Sequence, residues 1–282
     1  MEANNREAYD LIAEVYGLWQ NKHSESERYV ELLMDFIDSQ DPDFASRSQR
    51  RVLDYGAAAG QTSSALARLG YEVHGIDFSP ALIAEAEAGA RDAGMAIRFH
   101  LADFLDLEAM DRICSSWEQG GIDLIAAFLD TFNHLRHEDL LAVLADASNR
   151  LDRGAYLLFD LYDDEYFDFF LGQDYVEDFG SRYLVWRNQL SEDGLVNQAE
   201  FTLFEKCDGG EVLYRRKSAH LEEFYHSPEA LSRELDRLGF DLDLRHSEDE
   251  FFEVLQGRDA QPWGDFLAQN YPNRWIFCCR RR

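Results

Sequence analysis

The sequence is poor in lysine and has no long apolar run. Lys22, Lys206 and Lys217 are its only lysines, and 55 acidic against 27 basic residues give a formal net charge of −28. A surface this acidic repels phosphate backbones and anionic lipid headgroups, so we expect neither nucleic acid nor a membrane as a partner. No apolar run reaches eighteen residues, so no membrane-spanning helix is predicted.

Cysteine is also scarce. The four cysteines, at positions 114, 207, 278 and 279, form no C-x-x-C pair and do not cluster with histidine. This pattern predicts neither a metal site nor a disulfide framework, and it favours buried, reduced thiols. The first residues contain no apolar signal segment, so we expect a cytoplasmic protein. A hydrophobic content of 46% is enough for a large α/β core.

The segment from Arg51 to Gly60 has the pattern of a buried strand followed by a tight glycine turn. Gly56 and Gly60 allow the backbone to turn sharply and to approach a ligand where a Cβ would collide. A helix is predicted over residues 62–69, and the next strand ends in Asp77. This order is the first half of a nucleotide-binding βαβ unit, in which the acid at the second strand accepts the hydroxyl hydrogens of a ribose.

The chemistry of the turn indicates which nucleotide it suits. The G-x-G-x-x-G spacing of dinucleotide-binding folds is missing. Asp54 precedes the turn, where a carboxylate is a poor neighbour for a pyrophosphate and a favourable one for a cation. S-adenosylmethionine (SAM) carries a ribose and a sulfonium and no phosphate. The residues therefore favour SAM as the cofactor, while a nicotinamide-dependent oxidoreductase that shares the fold and the role of Asp77 stays open.

The pattern Asp54-x-Gly56-x-Ala58-x-Gly60 resembles the glycine-rich motif of the class I SAM-dependent methyltransferases. In that family the position of Ala58 is usually glycine. Further motifs follow in the family's order, namely GIDFSP from Gly75, LDTFN from Leu129, FD from Phe159 and EEFY from Glu222. Over residues 7–280 the chain is similar to small-molecule N-methyltransferases, which include sugar-amine N,N-dimethyltransferases and glycine/sarcosine methyltransferases.

The resemblance extends the predicted cofactor site beyond the turn. Asp103, after the third strand, would accept from the adenine amino group, and the rings of Phe104 and Phe78 could pack against the base. Tyr16 and Tyr29 would reach the methionine end of the cofactor. The complete predicted cofactor-binding set is Tyr16, Tyr29, Asp54, Gly56, Ala58, Gly60, Asp77, Phe78, Ser79, Asp103, Phe104 and Phe128.

Asp130 and His134 are the predicted catalytic residues. They lie in a segment, 122–135, that resembles the part of small-molecule methyltransferases which runs under the sulfonium and opens the acceptor pocket. A sulfonium methyl is already activated, so an amine acceptor needs alignment rather than a strong base. A hydroxyl acceptor would need a base, for which His134 is the best-placed candidate.

The sequence leaves the acceptor and the assembly open. A small molecule is the expected partner, and the resemblance favours transfer to an amine nitrogen. O- or C-methylation, or a SAM-binding module without turnover, are alternatives, and a homodimer is also an open expectation.

Strands that alternate with helices and are rich in branched and aromatic residues predict a doubly wound, Rossmann-like α/β sheet. Seven strands are expected, at 51–55, 71–76, 97–101, 122–128, 155–161, 240–244 and 275–279. The resemblance implies that the last strand runs antiparallel. Ser79 as N-cap and Pro80 at the first position predict the start of a helix over 80–93.

The chain is predicted to have three parts. Residues 1–40 form a cap of two helices, residues 41–161 and 225–282 form the SAM-binding core, and residues 162–224 form an insert that covers the acceptor pocket. Alternation of polar and apolar residues predicts three antiparallel insert strands, at 181–190, 195–206 and 211–224. In the long connection 245–274, Ser247 and Glu250 form a capping box for a helix that would end at Gly257.

Overall fold

The computed structural model describes residues 3–23, 26–117, 121–167, 173–207, 213–247, 271 and 273–282. The helices in this part of the chain are α1 (Ala3–His23), α2 (Ser26–Gln40), α3 (Pro42–Ala45), α4 (Gln61–Arg68), α5 (Pro80–Asp92), α6 (Leu107–Cys114), α7 (His137–Arg150) and α8 (Pro228–Arg237). The strands are β1 (Arg51–Tyr55), β2 (Glu72–Asp77), β3 (Arg98–Leu101), β4 (Ile122–Ala127), β5 (Leu151–Tyr162), β6 (Tyr175–Asp178), β7 (Arg182–Leu190), β8 (Val196–Lys206), β9 (Tyr214–Phe224), β10 (Phe240–His246) and β11 (Arg274–Arg281). A 3₁₀ turn spans Thr131–His134.

Seven strands form one sheet in the order β10–β11–β5–β4–β1–β2–β3. β1 pairs in parallel with β2 and β4, whereas β11 runs antiparallel to both of its neighbours. Successive side chains of a strand point to opposite faces, so Val52 and Leu53 enter two different buried clusters, one on each side of the sheet. The predicted doubly wound sheet of seven strands, with the last one antiparallel, is confirmed.

The order of the strands places a crevice at the carboxyl ends of β1 and β4. The chain leaves β1 toward β2 and β3 on one side, and continues through β4 and β5 on the other. At such a switch point the two connections diverge, so a ligand can enter between them. The predicted glycine turn follows β1 directly and therefore lies at this crevice.

A second, antiparallel sheet has the order β6–β7–β8–β9. Its inner face and the apolar face of α1 form one buried cluster, which contains Ala8, Ile12, Val15, Leu184, Ala199, Phe201, Leu203, Ala219 and Leu221. The helix thereby joins the insert to the edge of the crevice, where it also contacts α5. The prediction of three insert strands was short by one, because β6 has only four residues, too few to show an alternation of polar and apolar side chains.

Two short helices, α3 and α6, were not predicted from the sequence. Asp41 directly follows α2 and is the N-cap of α3, because its side chain accepts a hydrogen bond from the backbone N–H of Phe44. Asp106 caps α6 in the same way, and Met110 and Ile113 bury the apolar face of that helix. Both segments are too short for periodicity alone to separate them from a loop.

The fifth strand also differs from its prediction. β5 begins at Leu151 rather than at residue 155, and Gly154 lies inside it with φ 74°. The register of β5 against β4 shifts between the pairs Ile122–Leu151 and Leu124–Tyr156. The Arg153–Gly154 pair therefore forms an irregularity within the strand, just before the predicted start at residue 155.

Two other expectations can be compared with the described residues only in part. The predicted helix from Ser247 to Gly257 falls almost entirely outside them. None of the described helices is long and apolar enough to span a bilayer.

Candidate active site

The turn between β1 and α4 contains three residues with positive φ. The values are 70° at Gly56, 45° at Ala58 and 88° at Gly60. This left-handed conformation is accessible to glycine but costs about 1–2 kcal/mol for a residue with a Cβ. The methyl group of Ala58 packs in a small buried cluster with Ala13 of α1 and Leu82 of α5. That contact offsets part of the strain and ties the turn to the helix that covers it.

Both glycines of the turn are also sites of close packing. A Cβ on Gly56 would lie 2.6 Å from Oγ1 of Thr131, and a Cβ on Gly60 would lie 3.0 Å from both Ala86 and Phe99. A side chain at either position would push the turn away from the elements it touches. The turn is therefore held close to the carboxyl end of β4, which is where a ligand in the crevice must fit.

Asp77 lies at the end of β2, beside the glycine turn. Its side chain is 5% exposed, and its two oxygens accept one backbone hydrogen bond each, from the N–H of Ala58 at 3.0 Å and of Ser79 at 2.9 Å. A carboxylate can accept about four hydrogen bonds, so both oxygens can take another donor. Burial raises the pKa of Asp77 to about 6, and the carboxyl is mainly ionised at pH 7.

Asp54 lies below the turn, with its carboxylate directed at the start of α4. The hydroxyl of Thr62 donates to its Oδ2 at 2.8 Å, and the hydroxyl of Ser63 donates to the same oxygen at 2.5 Å. Burial raises the pKa of Asp54 to about 6. A helix N-terminus ordinarily attracts phosphate. Here a carboxylate already occupies that position, so a pyrophosphate would meet a like charge.

These elements border a cleft with about 550 Å³ of empty space, open to solvent. Its lining consists of Tyr9, Tyr16, Gly56, Ala57, Ala58, Gln61, Thr62, Asp77, Phe78, Phe128, Leu129, Thr131 and His134. No arginine or lysine is among these described lining residues. The cleft therefore has aromatic walls and one carboxylate, a surface that suits a cation better than a phosphate.

Four aromatic side chains line the cleft. Tyr9 and Tyr16 lie seven residues apart on α1 and therefore on the same face of the helix. Their rings meet edge to face, with centroids 5.7 Å apart. Tyr9 also meets Phe78 edge to face at 5.9 Å. Phe128 approaches from the end of β4. The helix α1 thus supplies one wall of the cleft, and the sheet supplies the other.

His134 ends the 3₁₀ turn and faces the cleft through its ring. Its Nδ1 lies 3.4 Å from the carbonyl oxygen of Glu222, and its Nε2 lies 2.8 Å from the hydroxyl of Tyr9. Because a carbonyl can only accept, Nδ1 carries the proton and Nε2 accepts from Tyr9. Burial lowers the pKa of His134, so the ring is neutral at pH 7. A reacting group that uses Nε2 as its base must first displace the Tyr9 hydroxyl.

Asp130 follows β4 in an unusual backbone conformation. Leu129 and Asp130 both have positive φ, 57° and 61°. Asp160, fully buried at the end of β5, accepts from both of their backbone N–H groups at 2.8 and 2.9 Å. Arg274 donates to Oδ1 of Asp160 at 2.5 Å and to Oδ1 of Asp130 at 3.0 Å. These bonds hold the strained turn that lines the cleft.

Glu223 is a further buried carboxyl beside His134. It lies on β9, its side chain is 2% exposed, and Nδ2 of Asn197 donates to its Oε2 at 2.8 Å. Ligand-type atoms of Asp130, His134 and Glu223 lie within 4.8 Å of one another. We refer to these three residues as the buried polar cluster. Burial, and then the charge of Asp130, raises the pKa of Glu223 to about 8.

The raised pKa of Glu223 predicts a pH dependence of stability. The folded protein keeps this proton up to about pH 8, whereas the unfolded chain loses it near pH 4.5. Since the folded state binds more protons within that window, the free energy of unfolding decreases as pH rises through it. In Glu223→Gln the side chain is uncharged, as it is in the protonated form of Glu223. In this variant the free energy of unfolding should therefore decrease less with rising pH than in wild type, by roughly 3–5 kcal/mol.

Urea unfolding of wild type and of Glu223→Gln at pH 5 and pH 8.5 measures this effect. Glu222→Gln is the matched control, because the Glu222 side chain is directed away from the cluster and pairs with Arg136. If the free energy of unfolding changes equally with pH in wild type and in Glu223→Gln, then Glu223 does not hold its proton in the folded state.

The structure brings seven of the predicted site residues to the cleft, namely Tyr16, Gly56, Ala58, Asp77, Phe78, Phe128 and His134. Four other predicted residues lie next to lining residues without being part of the lining themselves, namely Asp54, Gly60, Ser79 and Asp130. Ser79 caps α5, and its hydroxyl bonds to Asp10 of α1 at 2.5 Å. Asp103 accepts from the N–H of Leu105 in its own loop and is not among the lining residues. Its contact with adenine stays a prediction.

Two predicted site residues are placed elsewhere. Tyr29 is fully buried, and its hydroxyl donates to Asp160 at 2.8 Å, so it cannot reach a ligand in the cleft. Phe104 is 2% exposed and stacks on Tyr55 within the core, with ring centroids 5.0 Å apart. Neither ring is available to the cofactor, because tertiary packing has already buried both.

The sequence prediction missed Tyr9, Glu223 and Arg274. Tyr9 lies seven positions before Tyr16 on one helix, a spacing that places both on the same face. Glu223 continues the inward-facing alternation of Ala219 and Leu221, where a charged residue is conspicuous. Both signals were readable from the sequence. Nothing in the local sequence indicates that Arg274 reaches the site.

Comparison with known proteins gives a domain family and related structures. Residues 52–154 match a family described as a methyltransferase domain. An inferred methyltransferase of Geobacillus sp. (strain WCH70) is 24% identical over 153 residues, which cover 54% of this chain and 58% of that protein. The chain thus spans less than two thirds of the length of this curated relative.

Solved structures match over almost the whole chain. An S-adenosylmethionine-dependent methyltransferase from Clostridium acetobutylicum ATCC 824 has a TM-score of 0.69 at 19% identity, covering 97% of this chain and 98% of its own. The sugar N-methyltransferase KedS8 from Streptoalloteichus sp ATCC 53650 has a TM-score of 0.66 at 17% identity, covering 100% and 96%.

Proposed function

Because this chain has the fold of the class I SAM-dependent methyltransferases and matches a methyltransferase domain over residues 52–154, we propose that it transfers a methyl group from SAM to a small-molecule amine. The observation that carries the proposal is the glycine turn with the buried carboxylate of Asp77 beside it. The likeness to a sugar N-methyltransferase supports nitrogen as the accepting atom.

The residues of the cleft suit this cofactor. Asp77 has unused acceptor capacity on both oxygens, which fits the two hydroxyls of a ribose. The rings of Tyr9, Tyr16 and Phe128 provide faces that attract a cation such as a sulfonium. Asp54 at the start of α4 opposes a phosphate at the position where a dinucleotide would place one. The site therefore favours SAM over a nicotinamide coenzyme.

When bound, SAM supplies an activated methyl group. The chain then has to hold the acceptor nitrogen in line with the methyl carbon and sulfur and to exclude water, and such alignment contributes roughly 7–11 kcal/mol to lowering the barrier. In this proposal α1 and the four-stranded sheet roof the acceptor pocket, and the 3₁₀ turn with His134 forms its floor. The fixed Leu129–Asp130 turn keeps that floor in place.

His134 and Tyr9 form a neutral hydrogen-bonded pair at the floor. An amine that attacks as a neutral base needs no group to remove a proton in the transition state, and it loses its proton after transfer. The pair can orient the amine through the Tyr9 oxygen, which retains acceptor capacity. A hydroxyl acceptor would instead require Nε2 of His134 to be free, so the observed pair supports the amine over the alcohol.

Ligand binding followed by turnover tests the proposal. We expect S-adenosylhomocysteine, the demethylated cofactor, to raise the melting temperature, and NAD to leave it unchanged. Incubation with SAM and a set of amines should then yield products heavier by one methyl group in mass spectrometry. Stabilisation by NAD alone would contradict the proposal, and cofactor binding without transfer to any amine or alcohol would indicate a binding module.

A further inference from the structure

We propose that Gln61 binds the ammonium group of the cofactor's methionine portion through its side-chain oxygen. Gln61 is then a cofactor-binding residue that the sequence patterns did not indicate. The inference rests on the proposed function and deepens it, because it identifies the side chain that recognises the amino-acid end of SAM.

Gln61 begins the helix that follows the glycine turn. It is the first residue of α4, directly after Gly60, and it is one of the residues that line the cleft. The helix is anchored further along, because Ala65 and Leu66 are buried in the apolar cluster on one side of the sheet. The side chain of Gln61 therefore extends from a fixed position at the edge of the cleft.

The side-chain oxygen of Gln61 lacks a hydrogen bond. This Oε1 atom is enclosed by protein, and no described residue donates to it. Buried acceptors without a donor are rare in folded proteins, and each one needs an explanation. The last torsion of a glutamine side chain has no sharp energy minimum. Rotation of the amide can therefore turn the oxygen toward a donor that enters the cleft.

The next two residues of α4 are bound within the protein. The hydroxyls of Thr62 and Ser63 each have one proton to donate, and both protons are directed at Oδ2 of Asp54. The Gln61 oxygen has no such internal partner among the described residues. At the start of this helix, Gln61 is thus the side chain whose hydrogen-bonding capacity a ligand can complete.

The charge next to Gln61 favours a cation. Asp54 lies below the start of α4 and forms no ion pair with any described residue. Its pKa of about 6 leaves the carboxyl mainly ionised at pH 7. No arginine or lysine is found among the described residues of the lining. A donor that carries a positive charge is therefore attracted to this part of the cleft more strongly than a neutral donor.

The groups of SAM that can donate a hydrogen bond are the ribose hydroxyls, the adenine amino group and the ammonium. The sulfonium is cationic but has no proton to donate. In the proposed function the ribose lies at Asp77, at the end of β2. The sheet order places β1, and with it the start of α4, on the side of β2 that faces β4, whereas the adenine is expected on the side of β3. The ammonium is then the cationic donor that can reach Gln61.

Calorimetric titration of the full chain with three ligands tests the inference. S-adenosylhomocysteine carries an ammonium and a carboxylate, its decarboxylated form carries the ammonium alone, and 5′-methylthioadenosine carries neither. Gln61→Met keeps an unbranched side chain but removes its amide. We expect this variant to bind the first two ligands about 10–100-fold more weakly than wild type does. Its affinity for 5′-methylthioadenosine should change by less than about twofold.

Gln40→Met is the matched control, because Gln40 is exposed at the end of α2. This variant should bind all three ligands as wild type does. Unchanged binding of 5′-methylthioadenosine to Gln61→Met also shows that this variant is folded and that its ribose site is intact. No binding of S-adenosylhomocysteine to wild type would instead contradict the proposed function, and the inference with it.

Three results would overturn the inference while leaving the proposed function in place. Equal affinity of wild type and Gln61→Met for S-adenosylhomocysteine would show that Gln61 does not contact the cofactor. An equal loss of affinity for all three ligands would show that Gln61 only shapes the glycine turn. A loss for S-adenosylhomocysteine but not for its decarboxylated form would place the amide of Gln61 against the carboxylate.

Discussion

Asp77→Ala is expected to lower the affinity for S-adenosylhomocysteine by at least a hundredfold. The variant removes the carboxylate that would accept both ribose hydroxyls, and a hydrogen bond to a charged group contributes about 1.5–3 kcal/mol. Two such bonds correspond to a loss of roughly 10²–10⁴-fold. The backbone N–H groups of Ala58 and Ser79 also lose their acceptor, which loosens the glycine turn. Isothermal titration calorimetry measures the change.

Two further variants make this experiment decisive. Asp77→Asn keeps an acceptor oxygen without the charge, so its affinity should lie between those of wild type and Asp77→Ala. Asp92→Ala removes an exposed carboxylate at the end of α5 and should bind as wild type does. If Asp77→Ala is folded and binds with unchanged affinity, the ribose does not lie at Asp77.

Asp160→Ala is expected to have the largest effect on stability. The fully buried carboxylate accepts from Arg274, from the hydroxyl of Tyr29 and from the backbone of Leu129 and Asp130. Removing one partner of a buried ion pair costs about 3–5 kcal/mol, because the remaining charge is left without compensation. For a chain of this size the melting temperature should fall by roughly 10 °C. Methyl transfer should fall as well, since the Leu129–Asp130 turn loses its acceptor.

Two further variants distinguish the loss of the whole hydrogen-bond network of Asp160 from the loss of a single hydrogen bond. Tyr29→Phe removes a single donor to Asp160 and should cost about 1 kcal/mol. Asp164→Asn changes an exposed carboxyl nearby on the chain and should leave the melting temperature unchanged. A melting temperature for Asp160→Ala within 2 °C of wild type would show that the network does not stabilise the fold.

The glycine turn and the acid after β2 were predictable because their geometry is local. Gly56, Gly60 and Asp77 lie within one βαβ unit, where the path of the backbone follows from the residues themselves. Ser79 could be recognised as a helix cap for the same reason, since its hydroxyl accepts from the N–H of Leu82, three residues on. Short-range bonds of this kind leave a readable pattern.

The aromatic residues show where such patterns fail. Tyr16 and Tyr29 are both tyrosines of the N-terminal helices, yet one lines the cleft and the other lies against Asp160. Phe78 and Phe104 each follow a strand, yet one faces the cleft and the other stacks on Tyr55. An aromatic side chain contributes similar burial in either place, so its identity does not indicate which one it takes.

By itself the sequence determined the order of most strands and helices, the position of the glycine turn and the acid beside it, because alternation, caps and glycines act over a few residues. Only the tertiary structure decided which charges meet at the end of the cleft. Arg274 reaches Asp130 across 144 positions of the chain, and Glu223 arrives there on a different sheet. Electrostatic interactions depend on distance in space, and the folded chain alone sets those distances.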